Sequence, residues 1–317
     1  MNLERIEALL ERIASALERI ASQGEPTSGI AERNGHSTNG AERPAPDEAL
    51  AKPPSIPAPP LEAYLLSRSI QIKSRPPSDP ADEVIDSLSL YLGEHYDALA
   101  SLLRKIKRAM QTGARITECL KGRTQQEVGA VCQFCTRLQE VAFLEQYQYF
   151  KSPDFRICAK TTTLPRAQRF FGGQWLERYI LRKVRTIHGQ IASEVGGGIG
   201  FEYLINPQII LPNGDDFELD VLAAIGASIY WIEAKTGDYQ QHVSKYSRFA
   251  RLLGLDYDHS LMVLTDIPEN RCDALSSLFT MTVCTLANFY DRMLEIVRRD
   301  AEHWTTSLDG ASPVSPS

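Results

Sequence analysis

The chain has 317 residues, 43% of them hydrophobic and 23% charged, with a formal net charge of −6. That balance describes an ordinary globular protein with room for a sizeable core, and it leaves any affinity for nucleic acid to local patches and not to global charge. No apolar run is long enough to span a bilayer and no signal-type apolar core opens the sequence, so a cytoplasmic location without a membrane partner is expected.

Residues 1–23 repeat LERIEAL, LERIASA, LERIASQ. Leu3, Leu10 and Leu17 fall at heptad position a, and Ile6, Ile13 and Ile20 at d, a seam that predicts a coiled coil of more than two helices. A homo-oligomer is expected, with a tetramer favoured and a trimer or dimer as alternatives. A membrane-surface helix would carry aromatic residues and excess cations, and this repeat has neither. Residues 24–60 turn to Pro, Gly, Ser and Ala, the composition of a disordered linker spanning about 35 Å root-mean-square.

Residues 61–150 read as a mainly helical domain. One apolar face runs from Val84 through Leu88, Tyr91, Leu92, Leu99, Leu102 and Leu103, and ends in the basic group Arg104, Lys105, Lys107 and Arg108. The plain reading of that group is a solvated helix face, and the functional one is phosphate contact. Six cysteines (Cys119, Cys132, Cys135, Cys158, Cys272, Cys284) are expected as free thiols. The Cys132–Cys135 pair has no second pair at finger spacing and reads as the apolar side of a helix.

Residues 151–304 are expected to form an α/β domain, a mixed sheet flanked by helices, followed by a disordered tail over 305–317. A helix (GGQWLERYILRKVRTIHG) precedes strand signals in FEYLINPQIIL, a PNGDD turn, and the strands FELDVL and YWIEAK. A helix, a strand (SLMVLTD), a short helix, a strand (MTVCTL) and a last helix from Asn288 follow.

The two strands carry charge that a buried strand does not otherwise need. Residues two apart share a face, so Glu233 and Lys235 point together, and the same parity puts Glu218 and Asp220 on one face of the neighbouring strand. Buried charges must pair with each other or with a cation. Two carboxylates from adjacent strands suit a divalent ion with oxygen ligands, and a lysine beside them can orient the attacking water. Glu177 lies inside the apolar stripe Leu176, Ile180, Leu181, Val184 and Ile187, so it is a third candidate. Beyond the strands, Gln241, Lys245 and Arg248 share one helix face and are candidate substrate contacts, while Val243, Tyr246, Ala250 and Leu253 form the packing face.

ELDVL followed by IEAKTG resembles the Asp and Glu-x-Lys motifs of the PD-(D/E)XK nuclease superfamily. The wider series GGQWLERYI, ELDVL, IEAKTG, LMVLTD is similar to the nuclease domains of CRISPR ancillary effectors activated by cyclic oligonucleotides. The resemblance covers roughly residues 165 to 290. It implies a restriction-endonuclease-like core and Mg²⁺- or Mn²⁺-dependent phosphodiester hydrolysis in nucleic acid, with DNA favoured and RNA open, in a setting of antiphage defence or mobile elements. Asp220 and Glu233 would be metal ligands, Lys235 would position water, and Glu177 would be the helix carboxylate of the pattern. Those effectors carry a Rossmann-like sensing domain for which this sequence shows no βαβ pattern, so cyclic-nucleotide activation is not expected. The alternative is a non-catalytic oligomeric protein that binds nucleic acid or acts as a scaffold on a nuclease fold.

Overall fold

The segments VLAAI (Val221–Ile225) and SLMVL (Ser260–Leu264) are buried at every residue. Runs of that kind form strands covered on both faces, and these two lie in the central sheet. The computed structural model describes residues 55–237 and 243–309. Its first elements are α1 (Leu61–Leu66), β1 (Gln71–Ser74), α2 (Asp82–Glu94), α3 (Tyr96–Ala109), β2 (Arg115–Cys119), α4 (Gln125–Glu140), β3 (Leu144–Phe150) and β4 (Arg156–Thr161). After α5 (Pro165–Arg169), a π-helical turn (Phe170–Gln174) leads into α6 (Trp175–Glu194). Strands β5 (Phe201–Ile205), β6 (Gln208–Ile210), β7 (Asp216–Glu218), β8 (Val221–Ile225) and β9 (Ser228–Lys235) follow. The chain then forms α7 (Val243–Leu253), β10 (Ser260–Leu264), α8 (Cys272–Phe279), β11 (Thr282–Thr285) and α9 (Phe289–Asp309).

The central sheet has the order β11-β10-β9-β8-β5. Strands β9, β10 and β11 are parallel, and β8 and β5 continue antiparallel. Neighbouring residues of a strand face opposite ways, and β9 shows both coverings. Trp231 packs against Tyr246 and Phe249 of α7, with ring centroids 6.2 and 4.9 Å away. Tyr230 points to the other side and donates to Asp300 Oδ2 of α9 at 2.5 Å. Helix α6 packs on β5, β8, β9 and α9. Leu61 and Leu65 of α1 and Phe279 of α8 complete the core on the Trp231 side. Two smaller antiparallel sheets, β1-β6-β7 and β2-β4-β3, complete the fold.

The α/β class with a mixed sheet flanked by helices is the one found. The stretch 61–150 departs from its mainly helical expectation. It holds β1, which pairs with β6, and β2 and β3, which pair with β4 across the 150/151 boundary. In β2 the inward positions are Ile116 and Glu118, and a carboxylate in the inward series hides the period of two. Glu118 is buried because Arg123 and Lys105 hold it at 2.6 and 2.8 Å. The expected long helix breaks at His95 into α2 and α3. Cys135 is buried on α4, with Cys132 half-buried and both thiols free.

Two expected boundaries also move. Residues 55–60, placed in the linker, are tied down: Ile56 N donates to Gly198 O at 2.8 Å and Gly200 N to Ile56 O at 2.7 Å. The helix expected to end before Thr305 continues to Asp309. The heptad repeat, the rest of the linker and residues 310–317 lie outside the described residues. Among the described residues no helix is long and apolar enough to cross a membrane.

Candidate functional site

The segment expected as one strand, FELDVL, is two. Strand β7 belongs to the small sheet and β8 to the central one, and the chain passes between them at Leu219–Asp220. The passage overturns the parity argument for Glu218 and Asp220. Glu218 pairs in register with Gln208, is exposed and accepts from its amide, whereas Asp220 is buried at the entry to β8.

That entry determines what Asp220 does. The β8–β9 ladder begins at Val221 opposite Ile232, so β9 runs on through Glu233, Ala234 and Lys235 without a β8 partner. Asp220 Oδ2 takes over on that edge, accepting from Ala234 N at 2.8 Å and from Lys235 Nζ at 2.9 Å. Lys235 Nζ also donates to Glu233 Oε1 at 2.6 Å. Strand parity therefore holds for Glu233 and Lys235, and the structure brings Asp220, Glu233 and Lys235 together. The second Glu233 oxygen, Oε2, is buried with no hydrogen-bond partner.

Glu177 stands beside this trio and not within it. From the first turn of α6 its Oε2 accepts from Asn206 Nδ2 at 2.6 Å, and Asn206 N in turn donates to Asp220 O at 3.1 Å. The side chain is half-buried. Sequence reading placed it on the buried face but missed Asn206, whose turn between β5 and β6 carries no chemical signature. Tyr246, read as packing only, also borders the site, with Lys235 Nζ 5.7 Å from its ring centroid.

The charges are out of balance. Burial pushes Glu233 above the ordinary carboxylate range, and the charge of Asp220 pushes it further, against the pull of Lys235. Burial and then Asp220 raise Glu177 in the same way. Burial works to lower Lys235, but Glu233 and Asp220 outweigh it and hold the ammonium protonated. Lys235 thus bonds two carboxylates with a third, Glu177, beside them, and the cluster lacks positive charge.

These are hard oxygen donors, and the orphaned Glu233 Oε2 has room in its valence for a cation, so the residue types fit Mg²⁺ or Mn²⁺. Among the described residues no three His, Cys, Asp or Glu side chains form a group that could hold a metal ion. Lys235 Nζ stands between the two strand carboxylates.

The substrate-contact helix is reached only in part. Gln241 lies outside the described residues. Arg248 is exposed. Lys245 is also exposed, and its Nζ sits 4.2 Å over the Phe217 ring.

No family model and no curated protein matches the chain. Among solved structures it is similar to the crystal structure of protein VC1899 from Vibrio cholerae, with a TM-score of 0.50 and 18% identity. The alignment covers 78% of this chain and 63% of that one. At that identity the likeness is one of fold.

Proposed function

We propose that the protein is a metal-dependent nuclease of the PD-(D/E)XK type, hydrolysing phosphodiester bonds in nucleic acid. The observation that carries the reading is a buried pair of carboxylates sharing one lysine, with one oxygen of Glu233 left without a partner. A structural ion pair has no use for a second buried carboxylate that lacks its own cation. Asp220 and Glu233 would hold Mg²⁺ or Mn²⁺, with Glu177 beside them. When bound, the ion supplies Lewis-acid polarisation of a phosphoryl oxygen and a more acidic water. Within the protein, Asp220 fixes the edge of β9 and aims Lys235, and Lys235 presents protonated N–H donors where water and substrate oxygens would lie. Asn206 orients Glu177.

Homo-oligomerisation through residues 3–20 belongs to the same proposal, because tethered copies raise the local concentration of sites on a long polyanion. The ion pairs that Lys235 makes with both strand carboxylates favour a second reading, a nucleic-acid-binding or scaffolding protein in which Lys235 neutralises the cluster permanently. Incubating purified protein with plasmid DNA, single-stranded DNA and RNA, each in Mg²⁺, Mn²⁺ or EDTA, separates the two. Cleavage in metal that stops in EDTA supports the hydrolase. Intact substrate under all conditions supports the second reading.

A further inference from the structure

The basic group at the end of α3 is not a uniform solvated face. Lys105 is committed to Glu118 and to Thr117 O, at 2.8 and 2.6 Å. Arg104 faces Asp266 at 3.9 Å. Lys107 goes elsewhere: its Nζ lies 3.1 Å from Thr236 Oγ1, on the residue that follows Lys235. The same Thr236 hydroxyl is 3.5 Å from Gly172 O in the π-helical turn that leads to Glu177. A helix distant in sequence therefore delivers an ammonium group to the rim of the carboxylate site.

Lys107 is half-buried, and among the described residues it has no carboxylate within ion-pair distance. An ammonium has three donors, and a neutral hydroxyl satisfies only one of them. Burial lowers its proton affinity, and only the more distant charge of Asp266 works against that. A desolvated cation with spare donors, held on the residue that follows Lys235, suits an anion that approaches the site.

We infer that Lys107 is a substrate-binding residue that contacts a backbone phosphate of nucleic acid at the rim of the Asp220–Glu233–Lys235 site. The inference rests on the nucleic-acid reading above but not on cleavage. The residue would act before chemistry, by holding one phosphate of the strand beside Thr236 and so fixing the strand relative to Lys235.

The test is binding of a fluorescein-labelled single-stranded DNA oligonucleotide, and of its RNA counterpart, to the full chain in EDTA across a salt series. Lys107→Ala should weaken binding about tenfold, the scale of one charge-assisted hydrogen bond. It should also reduce the slope of log affinity against log salt by about 0.7, the counterion yield of one single-strand phosphate contact. Lys107→Arg should restore both, and Thr236→Val, which removes the hydroxyl but keeps the ammonium, should change neither. A wild-type slope and affinity for Lys107→Ala would overturn the inference. So would Thr236→Val matching the loss seen with Lys107→Ala, since the lysine would then serve only to hold the turn. Lys107-dependent binding without cleavage in Mg²⁺ or Mn²⁺ leaves this inference standing and removes the hydrolase. Asp220-dependent cleavage with unaltered binding by Lys107→Ala does the reverse, and a wild type that binds neither probe overturns this inference and leaves the hydrolase to the cleavage assay.

Discussion

Lys235 Nζ donates to Glu233 Oε1 at 2.6 Å, while the other oxygen of that carboxylate is buried and unpartnered. The lysine is shared with Asp220, so Glu233 is the carboxylate that the fold leaves under-compensated. Its folded proton affinity is raised, so the stability linked to it is present below the ordinary carboxylate pKa and lost as pH rises. Glu233→Gln should therefore leave the melting temperature at neutral pH unchanged or higher, by up to about 1 kcal/mol in stability, while removing activity. A structural ion pair predicts the opposite sign, a loss of about 3–5 kcal/mol on breaking a buried pair. Thermal denaturation of the two proteins at pH 7 decides between them.

The far face of β9 holds a separate titrating network. His259 donates from Nδ1 to Asp256 Oδ1 (2.6 Å) and from Nε2 to Asp300 Oδ2 (3.0 Å), and Asp300 also accepts from the Tyr230 hydroxyl. The hydrogen bond to Asp300 raises His259 from 6.5 to about 9, burial opposes the rise, and Asp256 adds to it. For a group raised on folding, the stabilisation is complete below the unfolded value and disappears as pH passes the folded one. Urea unfolding should lose about 2–3 kcal/mol of stability between pH 6.5 and 9 through this group. His259→Gln should flatten that window, and an unchanged pH profile would show that the pair carries no linkage.

Much of the candidate site was legible because strand parity is a local rule. Glu233 and Lys235 share β9, and their common direction follows from the period of two. Asp220 was legible as a residue but not as a geometry, because the transfer of the chain from the small sheet to the central one at Leu219 leaves no mark in FELDVL. Asn206 and Tyr246 reach the site from a turn and from α7, Lys107 reaches Thr236 beside it from α3, and no spacing rule connects them to β9. The sheet β2-β4-β3 was hidden for a related reason: its inward series includes Glu118, which is tolerated only because Lys105 and Arg123 arrive from elsewhere.

Gly93 tests the close approach of α2 to α6. A Cβ there would fall well inside contact distance of the Tyr179 ring, in the last turn of α2, where the preference for alanine over glycine is at most about 1 kcal/mol. Overpacking against a buried ring costs about 1–3 kcal/mol, and the near-overlap places this site at the upper end. Gly93→Ala should therefore destabilise by about 1–2 kcal/mol net in urea titrations. A gain in stability would mean that Tyr179 yields freely.

On α7, Lys245 and Arg248 are exposed and differ in what they already touch. Lys245 lies over Phe217, so Lys245→Ala removes a cation–π contact worth about 0.5–1 kcal/mol as well as a charge, whereas Arg248 has no such ring contact among the described residues. If this face meets phosphates, each substitution lowers the salt slope of nucleic-acid binding by about 0.7–0.9. Salt-dependent fluorescence anisotropy reads this directly, and unchanged slopes would assign the face to solvent.

The most direct measurement of the central claim is plasmid and oligonucleotide cleavage in Mn²⁺ by Asp220→Ala, Lys235→Ala and Glu177→Gln beside the wild type, each shown to be folded by circular dichroism. Asp220 and Lys235 touch at 2.9 Å, so loss of either should reduce the rate by at least about 10²–10³-fold, the scale of one electrostatic group acting on a transition state. Glu177, which is held by Asn206 and does not touch the trio, should cost about tenfold, the scale of one charge-assisted hydrogen bond. Cleavage by Lys235→Ala at close to the wild-type rate would contradict the assignment of this cluster as the catalytic site.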